Sequence, residues 1–258
     1  MYDYHVHSNY SDGSFLYWML SAAEDAGLDG VGFADHCNVS AREAQQREKF
    51  LFGFTLDATY DRRRAGIEAV RDRFDLRVYD AVEMDYVAGE EDRIADFLDE
   101  AGFDYAIGSV HSLDDRNVQT NGPFRDLSPD DRRAVVDDYY ETLAGMVESE
   151  LFAVAAHPDL LERNEHLRGL ATEDHYDRVA RAFADSRTVP EVNAGRVLSE
   201  YGEFHPAPAF FEAFREYDVG FTLGTDSHRP DEIAPRTEEL DRFCSETGLE
   251  PVELDVPT

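Results

Sequence analysis

Lysine is nearly absent from this chain: Lys49 stands alone against 23 arginines. Cysteine occurs twice, at Cys37 and Cys244, tryptophan once and methionine four times. Two distant cysteines offer neither a disulfide framework nor a thiolate zinc site, and they point to a reducing, cytoplasmic setting. No run approaches the roughly 18 apolar residues of a membrane span, and no basic-then-apolar segment opens the sequence. Neither a transmembrane helix nor a signal peptide is therefore expected. Positive charge is scarce as well: 24 basic residues minus 56 acidic ones leave a formal net charge of −32. Such a chain lacks the basic face that a nucleic-acid polymer or an anionic membrane requires.

What is present is enough for a core. Of 258 residues, 42% are hydrophobic and 12% aromatic, and the acids are spread among aromatic and β-branched segments. Disorder from charge excess is excluded on that ground. A length of about 250 residues suits one α/β barrel, so a single domain over residues 1–258 is expected. The acidic shell with one lysine resembles proteins of extremely halophilic archaea. Salt of about 1 M shortens the Debye length to about 3 Å and screens the self-repulsion.

Short apolar runs alternate with amphipathic stretches. Strands are expected at Tyr2–His7, Gly30–Asp35, Leu76–Glu83, Tyr105–Val110, Phe152–His157, Thr188–Asn193 and Gly220–Thr225. Helices are expected at Phe15–Ala26, Asp57–Phe74, Asp92–Ala101, Pro129–Ser149, Glu173–Asp185, Ala207–Tyr217 and Asp231–Thr247. Gly27 and Gly102 punctuate helix ends, and Ser128-Pro129 marks a helix start. Strand then helix, seven times over, implies parallel pairing in a closed or nearly closed α/β barrel, with an open doubly wound sheet as the alternative. Residues 38–57 read as an irregular insertion with some helical character, and Glu250–Thr258 as a loosely packed tail. The aromatic run Phe50-Leu51-Phe52-Gly53-Phe54 reads first as core packing, with a pocket cap or partner contact as the other options.

Chemistry gathers where the strands end. The first ends in His5-Val6-His7, followed by Ser11-Asp12-Gly13. The others end in Asp35-His36, Glu83-Met84-Asp85, Ser109-Val110-His111, His157-Pro158, Glu191-Val192-Asn193 and Asp226-Ser227-His228. Six of the nine histidines therefore stand at carboxyl ends of strands. In a parallel barrel these ends open on one face, where active sites lie. A single such histidine is ordinarily a hydrogen-bonded core residue. Recurrence at one topological position on strand after strand points instead to imidazoles and carboxylates converging on divalent metal. His166 and His175 read as surface residues, and His205, before Pro206, as a loop residue that could line the pocket.

These motifs resemble the polymerase and histidinol phosphatase (PHP) superfamily, and the resemblance runs from His5-Val6-His7 to Asp226-Ser227-His228. The stretches Asp80-Ala81-Val82-Glu83-Met84-Asp85-Tyr86, Phe103 to His111 and Glu191-Val192-Asn193 are similar to its histidinol-phosphate phosphatase branch. The resemblance implies a distorted (β/α)7 barrel, PHP-type and TIM-like, with three divalent metal ions, Zn, Mn or Fe. It implies one metal at His5, His7, Glu83 and Asp226, and a second sharing Glu83 and adding His111 and His157. A third, more exposed, would take Asp12, His36 and His228. Asn38-Val39-Ser40 and Ser112 depart from the family where proline and phenylalanine are common, which bears on the pocket rather than the cluster.

Clustered cations offset the charge of a phosphate monoester and activate water near neutral pH. The expected reaction is hydrolysis of a small phosphorylated substrate, L-histidinol phosphate, in histidine biosynthesis. His228, with Asp12 and His36 beside it, is the candidate for protonating the leaving group. Arg196, Asn193 and Arg116 are candidate substrate contacts, and Asp85 and Glu203 could meet a cationic substrate. The alternative activity is a PHP phosphoesterase acting on nucleotides or short oligonucleotides, which the missing basic groove disfavours. A metal-binding module without activity is disfavoured by a full ligand set. An amidohydrolase with a lysine bridge is disfavoured because Lys49 lies in the insertion.

Overall fold

A computed structural model describes residues 1–256. Seven strands form one parallel sheet in the order β1 (Tyr2–Val6), β2 (Gly30–Cys37), β3 (Arg77–Asp85), β4 (Tyr105–Ser109), β7 (Val154–Ala155), β8 (Val189–Asn193) and β9 (Thr222–Gly224). The ends of the series meet: the Asp226 N–H donates to His5 O at 2.8 Å and the His7 N–H to Ser227 O at 2.9 Å. The sheet thereby closes into the expected α/β barrel. A separate hairpin, β5 (Ser112–Leu113) with β6 (Arg116–Asn117), is antiparallel and hangs off the end of β4.

Both faces of this sheet are covered, so its strands are buried almost continuously rather than alternating buried with exposed residues. Every residue of β2 is buried. The register of β2 on β3 runs unbroken from Gly30↔Arg77 to Cys37↔Met84. Between Asp3 and Val6 the pairing of β1 on β2 shifts by one residue, a bulge beside His5. Bulges often stand beside active sites, where they re-aim a side chain.

The helices lie on the outside. Helix α1 (Leu16–Asp25) buries Leu16, Met19, Leu20 and Ala23, a stripe at helical spacing. Helix α5 (Pro129–Glu148) starts as expected, with the Ser128 hydroxyl accepting the Asp131 N–H and Pro129 in the first turn. The remaining helices are α2 (Glu43–Phe52), α3 (Tyr60–Arg71), α4 (Glu91–Ala101), α6 (Glu173–Ala184), α7 (Pro208–Glu216) and α8 (Pro230–Thr247). No helix among the described residues is long and apolar enough to cross a membrane.

Three local expectations are corrected. Residues 38–57 hold a regular ten-residue helix, α2, closed by Gly53 in the left-handed region. Phe50 and Leu51 on that helix are 73% and 71% exposed, so the aromatic run is not core packing. The tail is not loose up to residue 256. The Val252 N–H donates to Phe221 O at 2.7 Å and the Leu254 N–H to the Tyr4 hydroxyl at 3.1 Å, sealing the barrel's amino-terminal end. Pro257 and Thr258 lie outside the described residues. At that end Tyr2, Tyr4, Tyr79 and Tyr105 pack ring against ring.

Candidate metal centre

The carboxyl ends of the strands bring nine side chains together at one mouth. His5 and His7, two residues apart on β1, share a face. Their Nε2 atoms lie 3.1 Å apart. Glu83, from β3, stands in the middle and is fully buried. Its Oε2 is 3.3 Å from His5 Nε2, 3.6 Å from His7 Nε2 and 2.6 Å from His36 Nδ1. Its Oε1 is 3.0 Å from His157 Nε2 and 3.4 Å from His111 Nε2. Asp226 Oδ1 approaches His7 Nε2 at 3.3 Å, and Asp12 Oδ2 approaches His228 Nε2 at 3.3 Å and His36 Nε2 at 3.9 Å.

The backbone is bent to make this happen. His157 and Asp226 sit at φ of 27° and 50°, in the left-handed region that side chains with a Cβ rarely adopt. Such strain concentrates at functional sites. Gly224 is required for a different reason: a Cβ there would overlap the Glu191 carboxylate.

A ring of acceptors behind the mouth orients the imidazoles. Glu191 takes His5 Nδ1–H, at 3.0 Å from Oε1 and 3.2 Å from Oε2, and Asp85 Oδ1 takes His111 Nδ1–H at 2.5 Å. The carbonyl of Asp226 takes His228 Nδ1–H at 3.0 Å. With Nδ1 as donor, Nε2 of each ring presents a lone pair in the neutral form. Carboxylate–histidine pairs of this kind orient metal-ligating imidazoles.

These residues fit divalent cations on the structure's own terms. Lone pairs of His5 and His111 face the oxygens of Glu83, and that of His228 faces Asp12. Opposed lone pairs at about 3.3 Å are stabilised by a positive charge between them. Glu83 Oε2 and His36 Nδ1 are buried 2.6 Å apart without forming an aligned hydrogen bond, and His157 Nδ1 has no hydrogen-bond partner among the described residues. Buried polar atoms left so are costly unless something else satisfies them. Burial opposes charge throughout, yet imidazoles hold the Glu83 carboxyl well below the usual range. Against the same burial, Glu83 pushes His36 up to about 9, and Asp12 and Asp226 push His228 up to about 9. Burial, aided by neighbouring imidazoles, brings His7 and His157 down to about 4, so both are neutral at pH 7. The carboxylates thus draw positive charge into this cluster, and imidazole with carboxylate is a donor set suited to Zn, Mn or Fe.

The cluster opens into a cavity of 410 Å³, a size that suits a small ligand. Asp12, His36, His111, His157, Asp226 and His228 line it. Arg163, Arg196 and Arg236 add three guanidinium groups, and Phe52, Phe54 and Gln119 are among the other lining residues. Of the substrate contacts expected from sequence, Arg196 is in place. Arg116 is not: it packs over Phe124 and pairs with Asp114, off the cavity wall. Asn193 is buried behind the wall, donating to Glu191 and accepting the Gly195 N–H. Asp85 is spent on His111, and Glu203 points to solvent. His205 is fully buried rather than lining the pocket. His175 is more than a surface residue, since it caps α6, pairs with Asp137 and stacks on Tyr140. Arg163 and Arg236 escaped the sequence reading because neither follows a strand end directly.

Comparisons with known proteins place the family and the fold. The PHP domain family matches residues 3–195. A probable histidinol-phosphatase of Deinococcus radiodurans is 28% identical over 238 residues, covering 88% of this chain and 85% of its own. A histidinol phosphate phosphatase from Lactococcus lactis, solved with zinc, L-histidinol and phosphate, superposes with a TM-score of 0.75 at 19% identity, over 97% of this chain and 95% of its own. A histidinol phosphatase from Listeria monocytogenes superposes with a TM-score of 0.72 at 19% identity, over 90% of this chain and 97% of its own.

Proposed function

Since this chain belongs to the PHP domain family, we propose that it is a metal-dependent phosphatase that hydrolyses L-histidinol phosphate to L-histidinol and inorganic phosphate. The observation that carries this reading is one cavity lined both by a carboxylate–imidazole cluster and by three arginines. We assign one metal to His5, His7, Glu83 and Asp226, a second to Glu83, His111 and His157, and a third to Asp12, His36 and His228. Zinc, manganese and iron all suit these ligands. Bound there, divalent cations would neutralise the phosphate and activate water for in-line displacement.

The chain's own residues divide the remaining work. Arg163 and Arg196 present guanidinium groups that match phosphate geometry, whereas Arg236 is held by the carbonyls of Thr225 and Asp226 and by Glu232 and adds positive charge to the wall. Phe52 and Phe54 offer apolar surface to an imidazole-bearing leaving group. Asp12 and His228 form the most exposed edge of the cluster, with side chains 41% and 30% exposed. The departing alkoxide needs a proton, and a water at this exposed edge, beside Asp12, His36 and His228, is placed to deliver it. The chain's charge of −32 fits a small substrate rather than a nucleic-acid polymer, and suits a cytoplasm rich in salt.

The test is a substrate panel in about 1 M KCl, a salt level that screens the charge, with added Zn, Mn or Fe. Histidinol phosphate should exceed AMP and a dinucleotide in kcat/KM by about 100-fold or more, the scale of discrimination a site builds from a few substrate contacts. EDTA should abolish turnover. Preference for either nucleotide would replace this reading with a nucleotide phosphoesterase.

A further inference from the structure

Arg163 holds its guanidinium at the cavity wall, and each group that fixes it can be named. Its Nε–H donates to His205 Nε2 at 2.9 Å and one Nη donates to Gln119 Oε1 at 3.1 Å. The other Nη faces Asn193 Oδ1 at 3.5 Å and Asp226 Oδ2 at 3.6 Å. An arginine Nε only donates, so His205 Nε2 carries a lone pair and the ring proton sits on Nδ1. That proton goes to Asp159 Oδ1 at 2.6 Å, while Asp159 Oδ2 accepts the Ala207 N–H at 2.7 Å. Both Asp159 and His205 are fully buried.

The ring is held from its other sides too. Asn193 N donates to His205 O at 2.7 Å and His205 N to Asn193 O at 3.1 Å, which ties the loop to the end of β8. Tyr201 stacks on the imidazole with centroids 5.1 Å apart and planes at 11°, and Arg168 lies 4.8 Å over Tyr201. Asp159, His205 and Tyr201 do not line the cavity, whereas Arg163 does. The hydrogen-bonded chain from Asp159 through His205 enters the reaction space at that arginine, and the His205 ring also stands edge-on to His157 with centroids 6.4 Å apart. A free arginine side chain has considerable rotamer entropy to lose on binding an anion, and a fixed acceptor on Nε removes much of that loss beforehand.

We infer that His205 is a positioning residue, bridging Asp159 to Arg163 so that the guanidinium is aimed at the phosphate end of the cavity before substrate enters. The inference rests on the phosphatase reading for the occupant of that cavity. Two variants separate this role from packing. His205→Gln keeps an oxygen acceptor for Arg163 Nε and loses the ring. His205→Phe keeps a ring for Tyr201 and loses the acceptor.

Inorganic phosphate is titrated into the metal-loaded protein by calorimetry, with steady-state kinetics on histidinol phosphate alongside. The Phe variant should bind phosphate about 10-fold more weakly or worse, with KM rising more than kcat falls, as expected for a lost charge-assisted bond. The Gln variant should stay within about 3-fold of the unaltered protein. A pure packing role predicts the reverse order, and that order overturns the inference. If the Phe variant does not fold, Arg163→Lys keeps the charge but removes the Nε–H. An unchanged phosphate affinity in that variant overturns the inference equally. Phosphate binding in the expected order without histidinol phosphate turnover would refute the substrate and leave the positioning role standing. A metal-loaded protein that binds no phosphate would sink both.

Discussion

Glu83 touches more of the cluster than any other side chain, since its two oxygens meet ring nitrogens of His5, His7, His36, His111 and His157 within 3.6 Å. Replacing it by glutamine keeps the shape, removes the charge and places N–H donors against lone pairs. Glu83→Gln should lose at least one bound metal per chain by elemental analysis, and kcat/KM should fall by about 10³-fold or more. Activity within 10-fold of the unaltered protein would remove Glu83 from the centre. Glu191 acts one layer back, through His5 Nδ1 and the His157 N–H. Glu191→Gln should weaken metal binding by about 10- to 100-fold in a competition titration, with the fold retained by circular dichroism. The metal-site candidates could be read from sequence because each closes a strand or, like Asp12, lies in the loop that follows one, and so obeys a topological rule. Glu191 could not be assigned its role, because a buried carboxylate behind a histidine has the same sequence signature as one in front of it. Arg163 and His205 were illegible for a related reason. They meet across 42 residues through the turn after β7 and the loop after β8, and nothing local encodes that encounter.

Among the elements, strand and helix order was legible because both faces of the sheet are covered and the helices are amphipathic. Helix α2 was the exception. Its sequence, Glu43 to Phe52, buries only Gln45 and Lys49, so no apolar stripe marks it. Its anchors are polar instead: Asn38 donates to Gln45 and to Asp85 at 2.8 Å each, and Lys49 pairs with Asp57. Because Asp85 also holds His111, the helix and the metal cluster share one hydrogen-bonded network. The helix places Phe52 at the cavity, and beyond Gly53 the loop places Phe54 there, with its ring 4.1 Å from that of His36. An aromatic contact of this kind contributes about 0.5–1.5 kcal/mol beyond area burial, equivalent to roughly 2- to 12-fold in affinity. Phe52→Ala, which spares the His36 contact, should therefore raise KM for histidinol phosphate by about that factor and leave KM for glycerol phosphate unchanged. Equal losses on both esters would show that the helix shapes the phosphate site rather than the leaving-group site.

The molecule as a whole carries a charge of −32, and that charge acts on stability rather than on the fold. Helix α4 shows the cost locally. Asp96, Asp99 and Glu100 crowd its last turns, no basic residue stands there, and Asp96 and Glu100 are one turn apart. Acids at a helix carboxyl end meet the negative end of the dipole, at about 0.3–1 kcal/mol each, and like charges four apart add repulsion. Both effects act across solvent and fade as salt is added. The buried pairs do not behave this way: Arg63, fully buried between Asp35 at 2.9 Å and Asp80 at 2.6 Å, is out of reach of counterions. Thermal unfolding should therefore separate the two kinds of charge. The midpoint should climb by roughly 10 °C between 0.1 and 2 M KCl as the Debye length falls from about 10 Å to below 3 Å. The triple variant Asp96→Asn, Asp99→Asn, Glu100→Gln should melt about 3–6 °C higher than the unaltered protein in 0.1 M KCl and no higher in 2 M. KCl rather than a sulfate salt is the right probe, because sulfate also strengthens apolar burial and would mask the comparison. A gain that persisted undiminished in 2 M salt would mean that the three acids destabilise through the helix backbone, and the screening account of the acidic shell would fail.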